Sequence, residues 1–314
     1  MSPVDRRPPV YPLLVIFIGI LAVSTGSIFT RFAQVNAPSL VIAAGRLTIA
    51  SIVLLPLALV RRRGEIISLQ RYEILLVLIS GFFLALHFAA WITSLAFTTV
   101  ASSVVFVTTT PLWVALFSPI VLSEPITRSM KIGMGLALVG GIMIGLNDTC
   151  ALMGGQLVCP VLKDLFRGRA FIGDLLALAG AIMAAAYVII GRRMRPHISL
   201  LGYIFVVYGM ASLILLVFMF VAGESPLGYP PSTYLWIFLL ALIPQLLGHS
   251  SFNWALGYLS AAFVSITLLG EPIGATILAY FLLNEKPTTL KIFGAILILA
   301  GIYIASRTEA FKNG

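Results

Sequence analysis

Apolar residues occur along the chain in ten blocks, most of them about twenty residues long, separated by short polar or proline-containing breaks. About twenty apolar residues in a helix span the hydrocarbon core of a bilayer. The pattern therefore predicts an all-α integral membrane protein with ten transmembrane helices. The predicted blocks are Leu13 to Phe32, Ser39 to Val60, Ile74 to Phe97, Ser102 to Leu122, Ile132 to Leu146, Gly173 to Ile190, Leu200 to Ala222, Tyr234 to Leu256, Ala261 to Leu283 and Leu290 to Ala305.

Composition agrees with this pattern, because 60% of the 314 residues are hydrophobic and 10% are charged, whereas soluble domains carry about 25% charged residues. A net charge of +9 on one soluble surface would indicate a nucleic-acid partner. Here the basic residues stand at the ends of the apolar blocks instead. We therefore expect a lipid bilayer around the chain and no nucleic acid bound to it.

The basic residues also predict the orientation of the chain, because cytoplasmic segments of membrane proteins are enriched in Lys and Arg. The larger group of basic residues falls on the same side of the membrane as the two termini. We therefore expect both termini to lie in the cytoplasm and the membrane to be the plasma or inner membrane of the cell. Arg46 is left inside a block. The external group is Arg31, Lys163, Arg167, Arg169, Lys286 and Lys291, and the cytoplasmic group is Arg6, Arg7, Arg61, Arg62, Arg63, Arg71, Arg128, Lys131, Arg192, Arg193, Arg195, Arg307 and Lys312.

Both cysteines fall in the one long external segment, residues 148–172. An oxidising compartment would allow Cys150 and Cys159 to form a disulfide, and two free thiols are the alternative. The sequence does not fix the distance between them, which decides between the two.

The second half of the chain repeats the first at an offset of 161 residues. Five crossings per copy are an odd number, so the second copy enters the membrane from the opposite side. The sequence therefore predicts two inverted five-helix repeats, residues 1–147 and 173–314, and inverted repeats are typical of alternating-access transporters. The matched pairs are Pro111 with Pro272, Leu122 with Leu283, Glu124 with Glu285, Thr127 with Thr288, Gly133 with Gly294, Leu136 with Leu297, Leu138 with Leu299, Gly140 with Gly301 and Arg31 with Arg192.

The repeated stretches from Pro111 to Glu124 and from Pro272 to Glu285 are each followed by a glycine-rich helix. With Arg46-Leu47 in the second block, they resemble the ten-helix drug/metabolite transporters built from two EamA domains. The resemblance covers nearly the whole chain. It implies a secondary transporter, not an enzyme, that exports metabolites or drugs, with amino acids among the plausible cargoes. The chain departs from the pattern at Glu271, where the first copy has Thr110.

Thr110-Pro111 and Glu271-Pro272 lie about 13 to 15 Å into their helices, close to the middle of the bilayer. Proline removes a backbone donor and crowds the preceding turn, so each helix is expected to kink there. Paired breaks in corresponding halves are typical of a transporter's substrate cavity. A packing kink without ligand contact is the alternative.

Glu271 is the leading candidate for a functional residue, because an ionisable side chain at mid-membrane is costly. It is expected to face the protein interior and to be protonated, paired or hydrated. It either gains and loses a proton to couple transport, or stays neutral and bonds a neighbouring helix.

Gln245, His249 and Asn253 recur at intervals of four and form a polar stripe on one face of the eighth block. His87 and Trp91 form a similar pair in the third block, and Trp254 adds an aromatic wall. These groups predict a pocket for a small molecule, although such polar side chains also join membrane helices to one another. Arg46 is interpreted as a structural residue whose side chain is long enough to reach the headgroups, and a salt bridge to Glu271 is the alternative.

No Gly-Lys-Ser/Thr loop and no metal-ligand spacing occur in the sequence, so neither ATP hydrolysis, a metal site nor a cofactor is expected. An intramembrane lipid-modifying enzyme, with His87 or His249 as base and Glu271 as acid, is an alternative, and a channel is another. Glycines in the fifth and tenth blocks form small faces that suit either packing within the chain or a homodimer contact. They are Gly133, Gly135, Gly140, Gly141, Gly145, Gly294 and Gly301.

Overall fold

The apolar blocks form helices in the computed structural model, which describes residues 8, 10–98, 100–147, 151–153, 156–158, 168–283 and 287–310. The helices are α1 Pro12–Val23, α2 Gly26–Gln34, α3 Ser39–Arg61, α4 Arg63–Ile67, α5 Arg71–Phe97, α6 Val100–Val107, α7 Thr110–Val121, α8 Arg128–Asn147, α9 Gly168–Met194, α10 Leu200–Val221, α11 Pro231–Leu240, α12 Ser250–Ala255, α13 Ala261–Thr267, α14 Glu271–Leu283 and α15 Thr289–Ala310. A π-helical segment, Ala241–His249, joins α11 to α12, and a 3₁₀ turn, Leu268–Gly270, joins α13 to α14.

Eight helical segments in the described part of the chain are long and apolar enough to cross a membrane, and Val105–Val121 is a shorter apolar helix. Val60, Ile120 and Val221 are among the large apolar side chains that remain exposed. A helix that is apolar both on the face toward the bundle and on the face away from it suits a lipid environment. The chain is therefore a multi-pass membrane protein of helical architecture.

Three of the predicted blocks are interrupted helices. The kinks expected before Pro111 and Pro272 are confirmed, because Thr108 and Thr109 separate α6 from α7 and the 3₁₀ turn separates α13 from α14. The first block forms one apolar span, Pro12–Gln34, as predicted, but Ser24 and Thr25 interrupt it between α1 and α2, which the sequence did not predict. The hydroxyls of these two residues donate to the carbonyls of Ile20 and Ala22, so the break satisfies local backbone acceptors.

The eighth block was predicted as a regular helix, and here too the structure differs. Pro244 lies inside it and has no backbone donor, so the regular pattern of hydrogen bonds cannot continue through this residue. The chain instead widens into the π-helical segment. Single π-turns inside α-helices occur frequently at functional sites.

The external segment predicted at 148–172 contains two short antiparallel strands, β1 Ala151–Met153 and β2 Gln156–Val158, with Ala151 opposite Val158. These strands are an exception to the predicted all-α class. Helix α9 begins at Gly168, so the external segment is shorter than predicted. Cys150 and Cys159 lie outside the described residues.

Helices α8 and α15 pack backbone against backbone through glycines. A Cβ on Gly133 would lie 2.4 Å from the Gly301 carbonyl oxygen, and one on Gly140 would lie 2.4 Å from that of Gly294. Only glycine allows this approach without a shift of either helix. These four glycines therefore serve packing within the chain, one of the two roles predicted for them.

Candidate functional site

A cavity of about 100 Å³ lies among the interrupted helices, and both halves of the chain line it. The first half contributes residues beside the α1–α2 break and the start of α7, together with side chains of α3 and α5. The second half contributes side chains of α9, the π-helical segment, α12 and the start of α14. Broken helices therefore surround the cavity from both halves. Its polar and aromatic lining includes Arg46, His87, Trp91, Thr110, Tyr187, His249, Asn253 and Glu271.

Arg46 lies at the cavity rather than at the headgroups, so the interpretation that its side chain reaches the headgroups is wrong. Its side chain is 1% exposed, and its Nε donates to Gln245 Oε1 at 2.9 Å. The guanidinium carbon lies 4.2 Å from the centre of the Phe88 ring. An amide acceptor and an aromatic face thus stabilise a charge inside the bundle. The signal was in the sequence, since an ionisable residue within an apolar block is a functional candidate by default.

Glu271 begins α14 and lines the same cavity as Arg46. Its carbonyl oxygen lies 2.9 Å from Ser24 Oγ at the α1–α2 break, so it shares the one hydroxyl proton of Ser24 with the Ile20 carbonyl. A Cβ on Gly274 would lie 2.2 Å from Ser24 Oγ, so this glycine allows α14 to approach the break. The two interruptions are therefore in direct contact beside the acidic side chain.

Two ring pairs at the cavity each contain one of the predicted histidines, His87 and His249. The rings of His87 and Trp91 are parallel, with centroids 6.2 Å apart, and the His249 ring meets the Phe88 ring edge-on at 5.2 Å. His87 Nδ1 lies 2.9 Å from the Gly180 carbonyl oxygen. A carbonyl can only accept, so Nδ1 carries the proton in this hydrogen bond.

Asn253 anchors a hydrogen-bond network that the sequence analysis missed. Its Nδ2 donates to the hydroxyl of Tyr187 and, at 2.8 Å, to the His249 carbonyl oxygen. The Tyr208 hydroxyl lies 3.4 Å from Nδ2 and 3.2 Å from Ser250 Oγ. Tyrosines in apolar blocks are common, so only their position opposite the polar stripe could have pointed to them.

The other predicted site residues divide into those near the cavity and those outside it. Pro111 lines the cavity beside Thr110, whose hydroxyl donates to the Val107 carbonyl at 2.8 Å. Gln245 is buried behind Arg46. Trp254 and Pro272 are not among the lining residues. The Trp254 ring packs against the Tyr258 ring with centroids 4.6 Å apart, and Pro272 is buried within α14.

Within the described residues, no group of His, Cys, Asp and Glu side chains has the arrangement of a metal site.

Comparison with known proteins agrees with this architecture. The family model for the EamA-like transporter family matches residues 10–146 and again residues 171–307. An uncharacterized transporter of Archaeoglobus fulgidus is 23% identical over 220 residues, which cover 69% of this chain and 70% of that protein. The uncharacterized transporter YetK of Bacillus subtilis is 25% identical over 266 residues, 82% of this chain and 76% of that protein.

Two further similarities extend the comparison. The uncharacterized vacuolar membrane protein YML018C of Saccharomyces cerevisiae is 28% identical over 236 residues, which cover 70% of this chain and 58% of that protein. One solved crystal structure superposes with a TM-score of 0.71 at 19% identity, over 96% of this chain and 99% of that chain. This likeness shows a shared fold.

Proposed function

Because this chain belongs to the EamA-like transporter family, we propose that it is a secondary transporter that exports small molecules across the cell membrane by alternating access. The observation that carries the proposal is the cavity, which lies where interrupted helices from both halves meet. Sites of this kind in transporters lie at the interface between two repeats and are formed by discontinuous helices. Two halves that tilt around such a cavity expose it to each side in turn.

The α8–α15 contact supports two inverted repeats, residues 1–147 and 173–314, with ten crossings in all. Under the offset of 161 residues, Gly133 corresponds to Gly294 and Gly140 to Gly301, whereas in space Gly133 meets Gly301 and Gly140 meets Gly294. This exchanged, antiparallel pairing is what two copies related by a two-fold axis would make if they entered the membrane from opposite sides.

We further propose that Glu271 couples transport to protons. It is the one carboxyl side chain among the described residues that line the cavity, and it faces the same space as Arg46. A carboxylate inside the membrane loses its hydration, which costs free energy, and such residues are typical of proton relays. Glu271 stands where the first repeat has Thr110, so the two repeats contribute unequally to the cavity.

The proposed orientation places both termini in the cytoplasm, as the distribution of basic residues favours. Under this orientation Arg192 and Glu124 lie at the cytoplasmic end of the bundle, and the strands β1 and β2 lie outside. Accessibility of single cysteines at residues 62 and 225 to an impermeant reagent tests it, with labelling expected at residue 225 alone in intact cells.

Purified protein in liposomes tests the proposal. A saturable flux that is stimulated by unlabelled substrate on the opposite side supports a carrier, flux without saturation indicates a channel, and formation of a product indicates an enzyme. Thermal stabilisation across a panel of metabolites identifies the solutes to use. Ala184→Leu narrows the cavity and is expected to abolish flux, whereas Ala186→Leu, on the same helix but away from the cavity, leaves it intact.

A further inference from the structure

Three side chains that line the cavity each carry a buried polar atom without a hydrogen-bond partner in the described part of the chain. They are the Nη2 donor of Arg46, the Nε1 donor of Trp91 and the Oδ1 acceptor of Asn253. The three residues are 1%, 7% and 1% exposed. Native proteins leave few such groups unpaired, because each retains the full penalty of its desolvation. Three unpartnered polar atoms at one cavity indicate a polar ligand that forms the missing hydrogen bonds.

The two donors specify the chemistry of that ligand. Arg46 already donates through Nε to Gln245, which holds the guanidinium in place and leaves Nη2 for another acceptor. The parallel rings of His87 and Trp91 orient the indole beside the same cavity. A planar anion with two acceptor oxygens suits a guanidinium edge and an indole N–H.

The charge at the cavity sets the number of negative charges on the ligand. Arg46 is the one Lys or Arg among the described lining residues, and Glu271 opposes any further negative charge. A phosphate monoester would bring close to two negative charges and an additional acceptor oxygen, with no second cation to balance them. A carboxylate brings one charge and two oxygens.

Resting on the transport function proposed above, we infer that the substrate is a small organic monocarboxylate with a hydroxyl group near the carboxylate. The carboxylate pairs with Arg46 Nη2 and Trp91 Nε1. The hydroxyl group donates to Asn253 Oδ1, whose amide nitrogen is already engaged with Tyr187 and the His249 carbonyl. The aromatic and aliphatic walls cover the rest of the molecule.

Binding to the purified full-length protein tests the inference with lactate, 3-phenyllactate and 3-phenylpropionate, each compared with its primary amide, and with phenethylamine as a cation of similar shape. Each amide keeps the shape of its acid and lacks the charge. Because charged hydrogen bonds are lost, the amides are expected to bind roughly ten- to a hundredfold more weakly than the acids. 3-Phenyllactate is expected to bind more tightly than 3-phenylpropionate, which differs from it only in lacking the hydroxyl.

Two pairs of variants separate recognition from folding. Trp91→Phe removes one donor and keeps an aromatic ring, so it lowers affinity for the acids roughly tenfold and affinity for the amides by less, because an amide offers one uncharged acceptor oxygen. Trp254→Phe, whose ring lies outside the cavity, changes neither. Arg46→Gln removes discrimination between acid and amide, and Arg46→Lys restores part of it. The variants are compared only where their unbound melting temperatures match that of the wild type.

The outcomes distinguish this inference from the transport function beneath it. If amides or phenethylamine bind as well as the acids, and Ala184→Leu blocks them, the cavity is a substrate site and the carboxylate inference is overturned. If the acids bind and Trp91→Phe has no effect, the carboxylate lies elsewhere and the inference is also overturned. If neither the acids, the amides nor phenethylamine bind or cross the membrane, the cavity is not a site for small solutes. Both the transport proposal and the carboxylate inference are then overturned.

Discussion

Arg192 Nε donates a hydrogen bond to Glu124 Oε1 at 2.6 Å, and this ion pair joins the two halves of the chain at one end of the bundle. The pair does not stand alone. Arg192 Nη1 also donates to the Leu256 carbonyl at 3.0 Å, and Glu124 Oε2 accepts from the Ala261 backbone at 3.1 Å. One arginine and one glutamate thus hold α7, α9 and the segment between α12 and α13 together.

Glu124→Gln is expected to lower the stability of the protein by about 1 kcal/mol, because the pair is only partly exposed and its hydrogen bonds are charged. Thermal unfolding in detergent measures the effect. Arg62→Gln is the matched control: it removes a more exposed pair, with Glu65 at 3.6 Å, and is expected to leave the midpoint unchanged. Equal shifts in the two variants would contradict a structural role for Glu124.

Gln245→Leu leaves the buried Arg46 guanidinium without its amide acceptor. The expected loss of stability is about 1–3 kcal/mol, the cost of an unsatisfied buried donor. Gln245→Glu keeps the acceptor and adds a compensating charge, so it should retain most of the stability. A Leu variant as stable as the wild type would show that Phe88 alone stabilises the charge.

Gly133→Ala and Gly140→Ala place a methyl group 2.4 Å from a carbonyl oxygen of α15. Overpacking of this kind is expected to cost about 1–3 kcal/mol. Gly135, on the same helix, has no atom within 4 Å of an added Cβ, so Gly135→Ala should stabilise α8 by about 0.5–1 kcal/mol through its higher helix propensity. Unfolding of the three variants, compared with Gly294→Ala and Gly301→Ala, tests both the contact and its reciprocity.

Glu271→Gln removes the one carboxyl among the described residues that line the cavity and keeps a side chain of the same size. Proton-driven transport should be lost, and exchange of labelled for unlabelled substrate should continue, because exchange needs the cavity but no net movement of protons. Flux into liposomes with and without an imposed pH gradient separates the two activities. A variant that retains full gradient-driven transport would remove Glu271 from the coupling.

Glu224 lies after α10, outside the membrane-spanning segments, and burial raises the pKa of its carboxyl above the ordinary value of 4.5. The folded chain therefore holds this proton to a higher pH than the unfolded chain does. Stability contributed by the group is present at and below pH 4.5 and decreases as the pH rises above it. Glu224→Gln should remove this decrease, which melting curves between pH 4 and 8 would detect.

The sequence predicted the features that depend only on a single helix and the lipid around it. Apolar blocks gave the helices, because each must satisfy its backbone within lipid. Pro111 and Pro272 predicted their interruptions, because a missing donor acts locally. The break at Ser24–Thr25 carries no proline, and it depends on hydroxyl groups that bond the chain's own carbonyls.

Predictions that depend on neighbouring helices were less complete. The sequence placed Arg46 two turns from the headgroups, and only the packed structure shows that Gln245 and Phe88 hold its charge inward. Trp254 shares a helix with Asn253, yet one residue along a helix turns the side chain by roughly 100°. That rotation directs Asn253 toward the cavity and Trp254 toward Tyr258.

The glycine contact between α8 and α15 also limits how this protein can change shape. Where two backbones touch at paired glycines, the helices have little room to slide or rotate against each other. Under the proposed alternating access, α8 and α15 would therefore move together as one rigid unit. The bending would fall instead at the helix interruptions, Ser24–Thr25 and Thr108–Thr109, and at the turn before Glu271.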